Sequence, residues 1–265
     1  MNIHFFDKTI RLFQQFEEVD AITLGGSRAS GNHDADSDYD LYVYLNSDLR
    51  VEKRRNALSR TCTKLEIDLQ YWDPEDDGVL NDGTPIEICY RSIDETCRSL
   101  SNTLEKHIAQ CGYTTVLCDS VLRSKILYDP KGLYADLIKR FTIPYPEELR
   151  QNIIATNRAV LDGIMQSYIG QIEKAVKRND VISINHRIAE FFSSYFDILF
   201  AVNRAFHPGQ KRLIERAISI CQWLPVDFET DLYGLFAVSK REKLLPDLRT
   251  IILKLDKLID SYSVS

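Results

Sequence analysis

The stretch Leu24-Gly25-Gly26-Ser27-Arg28-Ala29-Ser30-Gly31, with Ser37-Asp38-Tyr39-Asp40-Leu41 shortly after it, decides how the chain is read. Two consecutive glycines make a turn whose backbone can approach a ligand closely. Ser27 and Arg28 then follow with a hydroxyl and a guanidinium, both suited to phosphate oxygens. Asp38 and Asp40 stand i, i+2 on a stretch, 38–45, that reads as a strand. Alternate side chains of a strand share a face, so the two carboxylates point the same way while Tyr39, Leu41, Val43 and Leu45 point into the sheet packing. Two ionised carboxylates side by side repel each other unless a cation sits between them. Mg²⁺ is the natural choice, because it binds through one or two carboxylates together with substrate phosphates. The pattern suits movement of a nucleotidyl group. No Gly-Lys-Ser/Thr follows the glycines, so the turn is not a Walker loop.

Outward from this stretch, the first half alternates helical and strand patterns. Phe5, Ile10, Phe13 and Phe16 fall at helical spacing over 5–16, residues 21–24 form a short strand entering the turn, and 48–62 form a basic helix. Residues 64–72 alternate, Leu65, Ile67, Leu69 and Tyr71 against Glu66, Asp68 and Gln70, as in a half-buried strand. After a hairpin-type turn at Asn81-Asp82-Gly83, residues 85–91 alternate again, Ile86, Ile88 and Tyr90 against Glu87, Cys89 and Arg91. Between these strands Asp73-Pro74-Glu75-Asp76-Asp77-Gly78 reads as an acidic surface turn. Asp34 and Asp36, in the loop before the first acid pair, read as solvent-facing.

Past Pro144 no strand alternation survives. Helical spacing runs to the C-terminus, broken near Asn179-Asp180, His207-Pro208-Gly209 and Leu224-Pro225. Ile143-Pro144-Tyr145-Pro146 is the linker, since proline cannot continue a helix and restricts the residue before it. The expected fold is α+β: a mixed β-sheet flanked by helices over 1–143, then an all-α bundle over 144–265.

The 265 residues carry a net charge of −6, which leaves no basic footprint for a nucleic-acid groove, so no long polynucleotide is expected as partner. The opening residues place acids too early for a signal peptide, and no apolar run approaches a membrane span. A cytoplasmic protein without membrane association is the expectation. The cysteines at 62, 89, 97, 111, 118 and 221 include no CxxC pair, which argues for reduced thiols rather than a zinc knuckle or a disulfide framework.

Gly26-Ser27 followed by Asp38-Tyr39-Asp40 resembles the nucleotidyltransferase superfamily that includes DNA polymerase β, in particular its small-molecule and minimal members. Asp82-Gly83-Thr84-Pro85-Ile86-Glu87-Ile88-Cys89-Tyr90-Arg91 resembles the corresponding stretch of bacterial nucleotidyltransferases with an uncharacterised, DUF4037-like C-terminal helical domain. That resemblance implies Glu87 as the third metal-binding acid, where most members carry Asp; Glu reaches one methylene further and binds the same ion. Asp68 is the rival carboxylate. The segments His186–Glu190, Ser194–Arg204 and His207–Leu213 resemble the motif of the same helical domain. The resemblance implies a Mg²⁺-dependent nucleotidyltransferase that moves NMP from a nucleoside triphosphate to a hydroxyl on a small molecule or a protein. Two Mg²⁺ ions would be held by Asp38, Asp40 and Glu87, with Gly25, Gly26, Ser27, Arg28 and Lys211 on the triphosphate.

In the helical half His186, Glu190, Ser194 and Asp197 form one stripe at i, i+4, i+8 and i+11 among residues as apolar as Phe191, Phe192, Tyr195 and Phe196. A polar stripe on a buried helix needs partners, and a substrate held in an interdomain cleft is the expected one. His186, Glu190 and Asn203 are therefore expected at the acceptor, with Lys211 nearer the β,γ-phosphates. The competing reading is a catalytically silent nucleotide-binding or antitoxin-like interaction module; the intact acid set favours the enzyme.

Overall fold

The computed structural model describes residues 4–31, 37–71, 73–237 and 241–262. Asp34, Asp36 and Trp72 lie outside the described residues. The chain divides into two compact units, one made of Met1–Ser101 with Ser120–Ile143 and the other of Asn102–Asp119 with Pro144–Ser265.

The first unit holds a mixed six-stranded sheet in the order β3-β4-β5-β2-β1-β6. Its strands are β1 (Val19–Leu24), β2 (Tyr39–Leu45), β3 (Cys62–Leu69), β4 (Glu75–Leu80), β5 (Pro85–Arg91) and β6 (Lys125–Tyr128). β2 and β5 run parallel, and the other pairs are antiparallel. Helices α1 (Phe5–Phe13) and α3 (Val51–Leu58) supply Phe6, Ile10, Phe13 and Leu58 to the core with Tyr39, Leu41 and Val43. That leaves Asp40, Tyr42 and Tyr44 on the other face of β2. The short helix α2 (Gly26–Ser30) follows β1 directly, and α6 (Leu133–Phe141) follows β6.

The acidic run is not a surface turn. Glu75–Leu80 is β4, an interior strand between β3 and β5. Acids and glycine disfavour strands, but tertiary partners override the preference here. Asp76 is 0% exposed and accepts hydrogen bonds from the Arg54 guanidinium, from the Tyr90 hydroxyl at 2.7 Å and from the Asp68 backbone N–H at 2.8 Å. Asp68 sits where β3 bulges, at φ 67°, and its own carboxylate accepts from Arg54 at 3.0 Å.

The second unit is helical: α7 (Glu147–Arg158), a π-helical turn at Ala159–Gly163, α8 (Tyr168–Lys177), α9 (Val181–Val202), α10 (Leu213–Ile220), α11 (Phe228–Ala237) and α12 (Arg241–Tyr262). The remaining helices, α4 (Ile93–Leu104) and α5 (Val116–Arg123), contain two of the three boundaries between the units, and the third falls at Ile143–Pro144. α9 is the central strut. Its Phe191, Tyr195, Ile198, Leu199 and Val202 share a core with Ile172, Leu232, Ile251 and Leu255. The segment 102–119 is tied to these helices by hydrogen bonds. Asp197 of α9 accepts from Thr114 N at 3.1 Å, Thr114 Oγ1 at 2.7 Å and Asn157 Nδ2 at 3.2 Å. The Gly112 N–H reaches Asn157 Oδ1 at 2.8 Å, and the His207 N–H reaches Thr115 Oγ1 at 2.8 Å. No helix among the described residues is long and apolar enough to cross a membrane.

Removing Asp76 leaves the buried Arg54 guanidinium with only the exposed Asp68 carboxylate as an ion partner. Asp76→Ala is expected to lower the unfolding free energy by about 3–5 kcal/mol, read by urea denaturation.

Burial pushes the Asp197 carboxyl up to about 6, against the pull of its Thr114 and Asn157 donors. A carboxyl whose folded pKa is raised contributes stability at low pH and loses it as pH rises through the folded value. The wild-type chain should therefore lose stability relative to Asp197→Asn between about pH 4 and pH 7, by on the order of 2 kcal/mol. Parallel denaturation curves across that range check it; a difference that stays flat with pH contradicts it.

Candidate active site

β1 delivers the chain to a buried Gly25, whose N–H donates to the Asp40 carbonyl at 2.8 Å and ties the turn to β2. Both glycines are required by what lies against them. A Cβ on Gly25 would strike the Tyr42 ring, and a Cβ on Gly26 would strike the Asp40 carboxylate. Gly26 also sits at φ 61°, in the left-handed region that a side chain disfavours. The Gly-Gly turn and the second aspartate are thus one packed unit.

Arg28 has partners within the chain. Its Nε donates to the carbonyls of Ser37 at 3.0 Å and Asp38 at 2.9 Å, its Nη2 donates again to Ser37, and its guanidinium lies 4.1 Å over the Tyr39 ring. Tyr39 in turn stacks on Phe6 at 3.9 Å. Arg28 therefore fixes the backbone that carries Asp38 into β2.

Parallel pairing of β2 with β5 places Asp40 opposite Glu87. Asp38, just ahead of the strand, joins them: each of Asp38, Asp40 and Glu87 offers an oxygen, and these lie within 4.8 Å of one another. The side chains are half-buried, open enough for a solute to reach. Asp68, the rival, is held by Arg54 instead.

The acid face continues past the three expected residues. Asp77 of β4 lies opposite Glu87, and Glu66 of β3 lies opposite Asp77. Glu75 pairs with Cys89, and Glu75, Glu87 and Cys89 form a second convergent group within 4.8 Å. Burial raises the Glu75 and Asp77 carboxyls, and Glu87 raises them further. Burial likewise pushes the Cys89 thiol up, again helped by Glu87. Arg91 lies with its guanidinium 4.2 Å over the Tyr42 ring. The sequence reading missed Glu75, Asp77, Tyr42 and Arg91. Their signal was the i, i+2 spacing of Glu75 and Asp77, masked by the turn-like composition around them.

Among the helical candidates, His186 and Lys211 are exposed, and Glu190 is half-buried in an ion pair with Arg187. Asn203 caps α9: its Nδ2 donates to the Leu199 and Trp223 carbonyls at 2.8 and 2.9 Å, and its Oδ1 accepts from Trp223 N at 2.8 Å. Asp197 and Ser194 of the polar stripe are buried inside the second unit. His207 is fully buried, with its ring nitrogen Nδ1 accepting from the Gly209 N–H at 3.1 Å, and burial lowers its pKa to about 4.

Among solved structures, a nucleotidyltransferase-like protein from Exiguobacterium sibiricum 255-15 is 13% identical over 96% of this chain and 74% of its own, with a TM-score of 0.45. An aminoglycoside 6-adenyltransferase from Bacillus subtilis is 12% identical over 98% of this chain and 90% of its own, with a TM-score of 0.35. The Thermotoga maritima CCA-adding enzyme complexed with tRNA is 12% identical over 97% and 81%, with a TM-score of 0.29. No curated protein matches the chain. Residues 7–84 match the family described as Polymerase beta, Nucleotidyltransferase, and residues 114–213 match a domain of unknown function, DUF4037. The two matches fall on separate stretches of the chain, each shorter than half of it.

Proposed function

We propose that the protein transfers a nucleoside monophosphate from a nucleoside triphosphate to a hydroxyl-bearing acceptor, with Asp38, Asp40 and Glu87 as the metal-binding acids. The observation that carries this reading is the convergence of those three carboxylates beside the Gly25-Gly26-Ser27 turn. An all-oxygen donor set of this kind fits Mg²⁺. Two such ions, when bound, neutralise charge on the attacking and leaving oxygens.

The chain's own contribution is placement. Gly25 and Gly26 keep side chains out of the path of the triphosphate, and Ser27 offers a hydroxyl to its oxygens. Arg28 acts through the backbone, holding Ser37 and Asp38 so that the first acid faces the second. In the transfer, the acceptor oxygen bonds to the α-phosphorus, the bond from that phosphorus to the β-phosphate oxygen breaks, and pyrophosphate leaves. The acceptor hydroxyl gives up its proton. Holding the acceptor in line is most of the catalytic work such a reaction demands.

Thermal shift with ATP, GTP, CTP and UTP, each with and without Mg²⁺, tests the site directly. At least one triphosphate should stabilise the chain only when Mg²⁺ is present, by about 2.7 kcal/mol at a hundredfold excess over its Kd. Asp40→Asn and Glu87→Gln should abolish that metal-dependent gain and cut acceptor-dependent pyrophosphate release by at least about 100-fold. Equal stabilisation with and without Mg²⁺ would falsify the metal assignment.

Gly26→Ala should act on the same site through packing. The added methyl must displace the Asp40 carboxylate, so the Mg²⁺-dependent shift should vanish while the strain costs only about 1–2 kcal/mol of stability. Retention of the full nucleotide response in this variant would show that the turn is not coupled to the acid.

A further inference from the structure

We propose that Glu75, Glu87 and Cys89 form a site for a thiophilic divalent cation of the Zn²⁺ class, adjoining the Asp38–Asp40–Glu87 group and sharing Glu87 with it. Cys89 Sγ lies 3.4 Å from Glu87 Oε1 and 3.9 Å from Glu75 Oε2. A tetrahedral zinc ion with ordinary Zn–S and Zn–O bonds separates its sulfur and oxygen ligands by about 3.6 Å. The observed sulfur–oxygen spacings bracket that value, and the three ligand atoms lie within 4.8 Å of one another.

A second observation separates this group from an ordinary acidic surface. Glu75 is 7% exposed and Cys89 is 4% exposed. Among the described residues, the Glu75 carboxylate has no ion-pair partner and no hydrogen-bond donor other than the Cys89 thiol. Its neighbours Glu87, Asp77 and Asp73 are all acidic. Arg91, next on this face of β5, lies over Tyr42 and donates to Asp73 at 3.4 Å. A buried carboxylate without a cation is costly, and its neighbour Asp76 shows how this fold neutralises a buried acid when the acid is purely structural. Glu75 has no such arrangement and is aimed at a thiol and a second carboxylate.

The donor set determines the ion. A thiolate with two carboxylates selects a borderline-soft metal over Mg²⁺, and three protein ligands leave a fourth position for water. Binding replaces the thiol proton, because a coordinating thiol is deprotonated outright. Half-buried Glu87 is the route in from solvent. Glu87 is then committed to the thiophilic ion, so Zn²⁺ should inhibit the Mg²⁺-dependent reaction; that consequence rests on the nucleotidyl-transfer reading, while the binding itself does not.

The test uses the reduced, metal-free full chain with Co²⁺ as a coloured probe and Zn²⁺ as competitor. One equivalent of Co²⁺ should give the near-ultraviolet absorption of a thiolate–cobalt bond, and Zn²⁺ should remove it. Cys89→Ser should abolish the band, and Glu75→Gln should weaken Zn²⁺ binding by more than about 100-fold. Glu75→Gln carries the test where Cys89→Ser does not fold. A band that survives Cys89→Ser, an absent band in the unsubstituted chain, or unchanged Zn²⁺ affinity in Glu75→Gln overturns the site. In the thermal-shift assay, Zn²⁺ should erase the Mg²⁺–triphosphate response of the wild type and leave that of Cys89→Ser intact. A cobalt band without any Mg²⁺–triphosphate response supports this site and overturns the nucleotidyl-transfer reading instead.

Discussion

The place where a Gly26 Cβ would stand is filled by the Asp40 carboxylate, and the rest of the site is arranged around that close approach. The backbone bond from Gly25 to the Asp40 carbonyl locks the turn to the strand, so neither can shift without the other. Parallel pairing carries the constraint to Glu87, and Arg28 carries it back along the chain to Asp38. A glycine turn and an acid cluster could have been built on separate elements. Here a single missing side chain couples them.

The same coupling concentrates negative charge. Asp40, Glu87, Asp77 and Glu66 lie opposite one another on neighbouring strands, a row of acids across one face of the sheet. Directly opposed like charges destabilise a sheet. Such a row persists only where something offsets the repulsion, whether protonation, solvent or bound cations. Burial, and after it the neighbouring acid Glu87, raises the Asp77 carboxyl in this row and that of Glu75 beside it.

What the sequence makes legible follows the range of the forces involved. β2 and β5 could be read from alternation, and the Gly-Gly turn from backbone freedom, because those signals are local. β4 could not, since its residues favour turns and its place is set by Arg54, 22 residues away in sequence from Asp76. The contribution of 102–119 to the helical unit was equally hidden, because its anchor to Asp197 spans 83 residues. Arg28 and Asn203 show a third case. Their side-chain chemistry suits a ligand, and both also donate to backbone carbonyls that no residue pattern reveals. The polar stripe on α9 was visible, but one of its members, Asp197, serves the interior of its own unit.

Glu75 and Asp76 bring these strands of argument together. Strand alternation sends adjacent acids to opposite faces of β4. Asp76 enters the face covered by α3, where Arg54 and Tyr90 satisfy it completely, and it serves stability. Glu75 enters the face of Glu87 and Cys89, where among the described residues a thiol is its one hydrogen-bond donor. The two side chains differ by one methylene and one position in sequence, and both are almost fully buried. What separates a structural acid from a ligand-binding one in this sheet is therefore the charge of the surroundings. On that face the nearest protein cation, Arg91, is engaged with Tyr42 and Asp73, so a metal ion can do the same electrostatic work for Glu75.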